Sequence, residues 1–322
     1  MKKLGILIVL IAFALPLFAQ IGVKIQLNRR AYMLHENIFA CVTLRNDSGK
    51  PLLFGSSPEL QGFILFDIRD NRNRPVPPRK DRDIMVSGLY LSPGEIKRMV
   101  IRLNNHYDLS RNGNYTVYAY VSHNILPREY RSSDVSFSIS PGVELWKKQV
   151  GLPDIAGTGS ARNGERTYSI LSLFESGFRN YYLKVEDEKH LLAITRIGNQ
   201  VSYEKFQAEV DMLSRIHLLM PVAPRIFHYM SFNVNGVNLE SSYWRTSGTI
   251  PMLYRDRKTG KVTRVGGVKA RKGIDYRDPK EGRLSISQML DERPAPVPAG
   301  KRDEGVVDLG EHVMPTKAAD EK

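Results

Sequence analysis

Basic side chains form the densest group of residues that could bind a ligand. Residues 255–264 carry five cations around a Thr-Gly turn, and further cations follow up to residue 272. Side chains alternate between the two faces of a β-hairpin, so part of this set could line one face and bind phosphate, sulfate or carboxylate groups. A solvated strand edge that resists aggregation needs the same residues, and both alternatives stay open. The candidate polyanion-binding residues are Arg255, Arg257, Lys258, Lys261, Arg264 and Lys269.

Three other side chains could form a polar site if the fold brought them together. Asp211, His217 and His228 would then suit a metal ion or acid–base chemistry. Both histidines lie among apolar residues, which is typical of histidines buried in a core. Cys41 could be a nucleophile, but it lies in an apolar strand pattern where cysteine usually behaves as a small hydrophobic residue. We therefore predict no catalytic residue, no metal and no cofactor.

Local signatures of the common enzyme classes are absent from the sequence. There is no His-Glu-x-x-His, no Gly-x-Ser-x-Gly, no Gly-x-x-x-x-Gly-Lys-Ser/Thr and no Gly-x-Gly-x-x-Gly. Residues 108–113 imitate the start of a calcium loop, but Ala119 stands where a bidentate carboxylate is needed. These absences favour a noncatalytic binding or structural module, while sites assembled from distant strands stay open.

Residues 21–140 have the pattern of short strands separated by turns. Strands this short bury enough surface only when two sheets face each other, so the pattern predicts a β-sandwich. The turn before Tyr115, with Gly113 in it, is similar to the tyrosine corner of immunoglobulin-like domains, in which the tyrosine hydroxyl bonds to the upstream backbone. We predict structural roles for Gly113 and Tyr115.

A family resemblance rests on that corner and on three further segments: LNRRAY (residues 27–32), VTLRN (42–46) and LSPGE (91–95). With them, residues 21–140 resemble the immunoglobulin-like modules of exported bacterial proteins, including BsuPI-type proteinase-inhibitor modules. The resemblance implies a disulfide-free immunoglobulin-like β-sandwich, with Val117 where antibody domains place their second cysteine. Proteinase inhibition is the alternative function it implies, and the Pro- and Arg-rich residues 69–83 are the one evident candidate for an inhibitory loop.

The remaining residues predict a second mostly-β domain over 143–275 and a disordered, Pro-rich charged tail over 276–322. Residues 202–220 predict one short helix or an irregular crossover, because their apolar residues fall at helical spacing. A hairpin over residues 250–265 closes the second domain. This part of the chain resembles uncharacterised exported bacterial proteins.

Residues 1–19 predict a cleaved export signal, with two lysines before an apolar run that ends at Ala19. The immunoglobulin-like domain would then occupy residues 20–140. No later segment is apolar enough to span a membrane, so we predict a periplasmic or secreted bacterial protein. Its net charge of +13, from 47 basic and 34 acidic residues, favours anionic partners. In an exported protein these are anionic polysaccharides, lipid headgroups or envelope proteins, and no nucleic acid.

Overall fold

The computed structural model describes residues 21–79, 84–152, 164–175, 177–201, 205–277 and 307–308. The predicted export signal, residues 1–19, lies outside the described residues, as does most of the predicted tail. Within the described part of the chain, no helix is long and apolar enough to cross a membrane.

The first half of the described chain consists of short strands and two 3₁₀ turns, at Pro58–Leu60 and Leu103–Asn105. The strands are β1 (Ile21–Leu27), β2 (Ala31–Met33), β3 (Phe39–Asn46), β4 (Leu52–Leu53), β5 (Gly62–Asp70), β6 (Ile84–Met85), β7 (Tyr90–Leu91), β8 (Ile96–Arg102), β9 (Gly113–His123), β10 (Tyr130–Arg131) and β11 (Val135–Ser140).

Two sheets of this half face each other. One has the order β1-β3-β8, and the other has the order β2-β11-β9-β5-β6 with β10 paired to β9. Every second residue of β5 from Gly62 to Ile68 is buried, which is the alternation of a strand with one face on the core. Val42 and Leu44 of the first sheet share one apolar cluster with Phe66 and Val117 of the second. This is the predicted immunoglobulin-like sandwich.

The second half is also built from strands: β12 (Val143–Gly151), β13 (Glu165–Glu175), β14 (Phe178–Glu186), β15 (Leu191–Asn199), β16 (Gln207–Val210), β17 (Ile216–Ala223), β18 (Ile226–Phe232), β19 (Asn238–Arg245), β20 (Met252–Arg255), β21 (Val262–Val265), β22 (Val268–Lys269), β23 (Tyr276–Arg277) and β24 (Val307–Asp308). One sheet has the order β12-β13-β14-β15 and another has the order β16-β17-β18-β19-β22. Their facing residues, among them Ile170, Leu183, Leu218 and Met230, form a second core. The all-β fold class is confirmed.

The prediction of a short helix or irregular crossover within residues 202–220 is wrong for the described residues. β16 and β17 form an antiparallel hairpin there, joined by a turn in which the Asp211 carboxylate accepts hydrogen bonds from the backbone of Leu213 and Arg215. All eight residues of β17 are buried, because one face packs on the core and the other is covered by β20. A strand buried on both faces lacks the period-two signal that identifies a strand.

The predicted tail begins one residue too early. Tyr276 is buried and its ring lies 4.4 Å from that of Tyr243, so it packs with the second half of the chain. Of the later residues, the structure describes Arg277 and the strand β24, which pairs in parallel with β23.

The two sandwiches meet at β2 and β13. Gly142, directly before β12, has φ +72°, and a Cβ atom there would lie 2.7 Å from the Met33 side chain and 2.9 Å from the Ser172 carbonyl oxygen. Only glycine fits this conformation and this gap. Beside it, the buried Arg29 guanidinium forms an ion pair with Glu36, and burial raises the pKa of the neighbouring Tyr182 hydroxyl to about 12.

Candidate functional site

The hairpin formed by β20 and β21 has two unlike faces. Its register pairs Met252 with Val265 and Leu253 with Arg264, and directly opposed residues share a face. Leu253 packs on the apolar cluster of the sheet beneath, and its backbone N–H donates to Gln207 Oε1 at 2.8 Å. The hairpin is therefore anchored through one face, which we call the inner face, and leaves the other exposed.

Four of the predicted cations lie at the tip of this hairpin. Arg255, Arg257, Lys258 and Lys261 are all exposed, and we call them the basic tip. The turn is held by Asp256, whose Oδ1 accepts the backbone N–H groups of Lys258 at 2.7 Å and Thr259 at 3.1 Å. Those two hydrogen bonds lower the pKa of the Asp256 carboxyl, so it is ionised near neutral pH. The tip thus concentrates four cations around one engaged carboxylate.

Arg264 lies away from the basic tip, on the inner face. Its guanidinium carbon is 3.1 Å from the centroid of the Trp244 ring, and its Nη1 donates to the Gly266 carbonyl oxygen at 2.6 Å. Burial lowers the pKa of Arg264 from its ordinary value. Lys269 is exposed on β22, directly opposite Trp244. The six candidate residues therefore form two groups: the tip, and a pair beside Trp244.

Sequence reasoning missed Trp244 as the partner of Arg264. The two residues lie on strands that are not neighbours in a sheet, and β19 carries a mixed polar sequence that does not read as a strand. A tryptophan close in sequence to a basic run is the available signal, since arginine stacks on indole rings.

The structure brings together only two members of the predicted polar constellation. His217 Nε2 lies 3.2 Å from Asp211 Oδ2, and its Nδ1 lies 2.8 Å from the hydroxyl of Tyr229. Arg215 contacts the same Asp211 oxygen through Nε at 2.8 Å. Burial raises the pKa of Asp211, but hydrogen bonds from Arg215 and His217 outweigh it and hold that pKa below its ordinary value.

His228 lies on the opposite face of the same sheet. Its ring stacks on Tyr243 with centroids 4.3 Å apart, and its Nε2 lies 2.7 Å from the Ser241 hydroxyl. It lies three positions from Ser231, the cross-strand partner of His217, and residues an odd number of positions apart on a strand point to different faces, so the two histidines do too. Among the described residues, no group of three His, Cys, Asp or Glu side chains could hold a metal ion.

The remaining residues singled out in the sequence have structural surroundings. The Tyr115 hydroxyl donates to the Arg111 carbonyl oxygen at 2.7 Å, and its ring stacks on Phe137. Gly113 has φ +155° and lies against the Tyr115 ring. Cys41 is buried, which raises the pKa of its thiol.

Comparison with known proteins adds little to this geometry. Neither a protein-family model nor a curated protein matches the chain. Among solved structures, the sporulation control protein Spo0M from Bacillus subtilis aligns with a TM-score of 0.26 and 9% identity, over 57% of this chain and 91% of that one. The CsuC–CsuE chaperone–tip adhesion subunit pre-assembly complex of Acinetobacter baumannii Csu pili aligns with a TM-score of 0.19 and 9% identity, over 69% of this chain and 97% of that one. TM-scores this low establish no shared fold, so the fold class rests on strand pairing and packing.

Proposed function

We propose that this chain is a noncatalytic binding module, exported to the bacterial cell envelope, that contacts anionic partners through the basic tip of the β20–β21 hairpin. The observation that carries the proposal is the construction of that tip. Four exposed cations lie at and beside a turn whose backbone is held by hydrogen bonds to Asp256. The hairpin that carries this turn is anchored on the sheet through its inner face. A pre-organised cluster loses little conformational entropy when it binds.

The clustering of the cations matters more than the total charge of the protein. Cations on one short turn lie within a Debye length of each other, which is about 10 Å at 0.1 M salt, so they act together on one polyanion. Cations spread over the surface would be screened from one another. Phosphate, sulfate and carboxylate groups of envelope polymers, or an acidic surface of an envelope protein, fit this tip.

Retention on an anionic matrix tests the proposal. The tip variant replaces Arg255, Arg257, Lys258 and Lys261 with Gln. The control variant makes the same change at four exposed cations elsewhere, Lys24, Arg30, Lys50 and Lys189. Both variants lose the same charge, and we expect only the tip variant to elute at markedly lower salt while both keep the wild-type unfolding midpoint. Equal loss in the two variants would show that net charge alone drives retention, and the proposed site would be rejected.

Export is tested separately, on mature protein from the native envelope. If the signal is cleaved after Ala19, mass spectrometry gives the mass of a chain that begins at Gln20. A mass that includes residues 1–19 would contradict cleavage and the export route that depends on it.

A second candidate function is proteinase inhibition, which is favoured by the hydrogen-bonded backbone of the loop after β5. Asp70 Oδ1 accepts the backbone N–H groups of Arg72 and Arg74, each at 2.9 Å, and Val76 N donates to the Ile68 carbonyl oxygen at 2.8 Å. Arg72 is exposed on this fixed turn, and an arginine suits the acidic specificity pocket of trypsin-like proteases. We expect inhibition at micromolar protein that Arg72→Ala abolishes. Full protease activity across a panel at that concentration would end this candidate.

A further inference from the structure

The exposed face of the β20–β21 hairpin is largely apolar, with Thr263 as its one polar residue. Met252, Tyr254 and Val265 share this face by register, and they are 51%, 54% and 38% exposed. We call these three residues the outer face. On the inner face Val262 is buried and Leu253 and Arg264 are half-buried, and only Arg255, at the tip end, is exposed. Large apolar side chains grouped on one side of a short hairpin are a recognised mark of an interaction surface.

The apolar surface continues around the basic tip. Met212 N donates to the Gly260 carbonyl oxygen at 3.1 Å, which fixes the β16–β17 turn against the hairpin turn. Met212 and Leu213 on that turn are both exposed. The tip cations thus have apolar side chains nearby both on the strands of their own hairpin and on the β16–β17 turn.

We propose that the anionic partner of this surface is a lipid bilayer, with the tip cations among the phosphates and the outer face in the boundary between headgroups and acyl chains. This inference rests on the proposed function and names its partner. Charge complementarity to the basic tip requires an anionic partner, but a hydrated polysaccharide offers no apolar layer for Met252, Tyr254 and Val265. A bilayer of anionic lipids offers both the phosphates and the apolar boundary.

The residue types on the hairpin are those typically found at the headgroup level of a bilayer. Tyr254 is the aromatic type that is enriched at the headgroup level, where its ring is in an apolar region and its hydroxyl in a wet one. Arg255 follows it in sequence, at the start of the basic tip. The acidic group of the turn, Asp256, is engaged with backbone N–H groups and offsets one of the four cations.

Vesicle sedimentation with three variants tests the inference. The outer-face variant is Met252→Ser, Tyr254→Ser and Val265→Thr, and the tip variant is the one described above. The control variant is Phe174→Ser with Phe178→Ser, which removes two exposed aromatic rings from the β13–β14 hairpin. Vesicles contain phosphatidylglycerol mixed with phosphatidylcholine, or phosphatidylcholine alone, and each variant is first checked for an unchanged unfolding midpoint.

We expect wild type and the phenylalanine control to sediment with phosphatidylglycerol vesicles and to stay in solution with phosphatidylcholine alone. The outer-face variant should bind those vesicles at least about tenfold more weakly, because the apolar part of the contact is lost, and keep its retention on an anionic matrix. The tip variant should lose both kinds of binding.

Failure of this inference is distinguishable from failure of the proposed function. Wild type that binds the matrix but not the vesicles would overturn the bilayer and leave a polyanion-binding module. The inference would also be overturned if the outer-face variant bound the vesicles as well as wild type does. The same holds if the phenylalanine control no longer bound the vesicles. Wild type that binds neither the matrix nor the vesicles would overturn both proposals.

Discussion

Arg29 Nη1 donates a hydrogen bond to the Tyr182 hydroxyl at 2.9 Å, across the contact between the two sandwiches. The same guanidinium pairs with Glu36, whose other carboxylate oxygen accepts the backbone N–H of Met33 at 2.9 Å. Met33 in turn packs with Leu171 of the second sandwich. One buried ion pair and one apolar cluster thus hold β2 against β13 and β14.

Breaking this ion pair from one side should destabilise the protein strongly. Arg29→Ala leaves the Glu36 carboxylate buried without its cation, and we expect a loss of about 3–5 kcal/mol in the free energy of unfolding. Tyr182→Phe removes one hydrogen bond and should cost about 0.5–1.5 kcal/mol. Urea unfolding measures both. Arg45→Ala, which breaks the exposed pair with Asp47, is the control and should cost about 1 kcal/mol or less. Similar losses for Arg29→Ala and Arg45→Ala would contradict a buried, energetically important pair.

Tyr115→Phe should destabilise the immunoglobulin-like sandwich. The substitution keeps the ring on Phe137 and removes only the hydrogen bond to the Arg111 carbonyl oxygen, so we expect a loss of about 0.5–1.5 kcal/mol. Tyr90→Phe on the exposed strand β7 is the matched control and should leave the unfolding midpoint unchanged. If both variants unfold like wild type, the corner contributes nothing measurable.

Asp211 should make stability depend on acid pH. Its folded pKa is lowered, so its contribution is complete above the unfolded value, about 3.9, and is lost as pH falls through the folded pKa. Asp211→Asn should therefore destabilise by roughly 1–3 kcal/mol at pH 7, and the difference from wild type should shrink below about pH 4. Urea unfolding at a series of pH values measures it. Asp134→Asn, at an exposed site, is the control. A difference that stays constant down to pH 2.5, about one and a half units below the ordinary value, would refute the assignment.

Arg264 should contribute to stability and not to anion binding. Arg264→Met keeps an unbranched apolar side chain but removes the cation over Trp244, and we expect a loss of about 0.5–2 kcal/mol with matrix retention close to wild type. Lys261→Met should show the reverse, with unchanged stability and weaker retention. The pair of variants separates the two groups of cations, and weaker retention of a folded Arg264→Met protein would place that cation in the binding surface after all.

The strand pattern was readable from the sequence wherever one face of a strand is buried and the other is not. Val23, Ile25 and Leu27 of β1 alternate with polar residues, and the turn before Tyr115 carries its own local signal, because both effects arise between residues that are close in the chain. The all-β class and most strands of the first sandwich follow from such local patterns. The basic residues at the tip were also evident, since a turn and its charges are contiguous.

Only the tertiary structure decided what covers each face. β17 is buried on both faces and β19 is largely polar, so neither has a periodic signal. β17 becomes a strand through its neighbours β16 and β18, and β19 through β18 and β22. The separation of Arg264 from the basic tip depends on the hairpin folding onto Trp244. The contact of Arg29 with Tyr182 joins residues 153 positions apart. Sequence alternation determines which residues share a face, but packing between distant segments determines what that face meets, and no local pattern encodes that pairing.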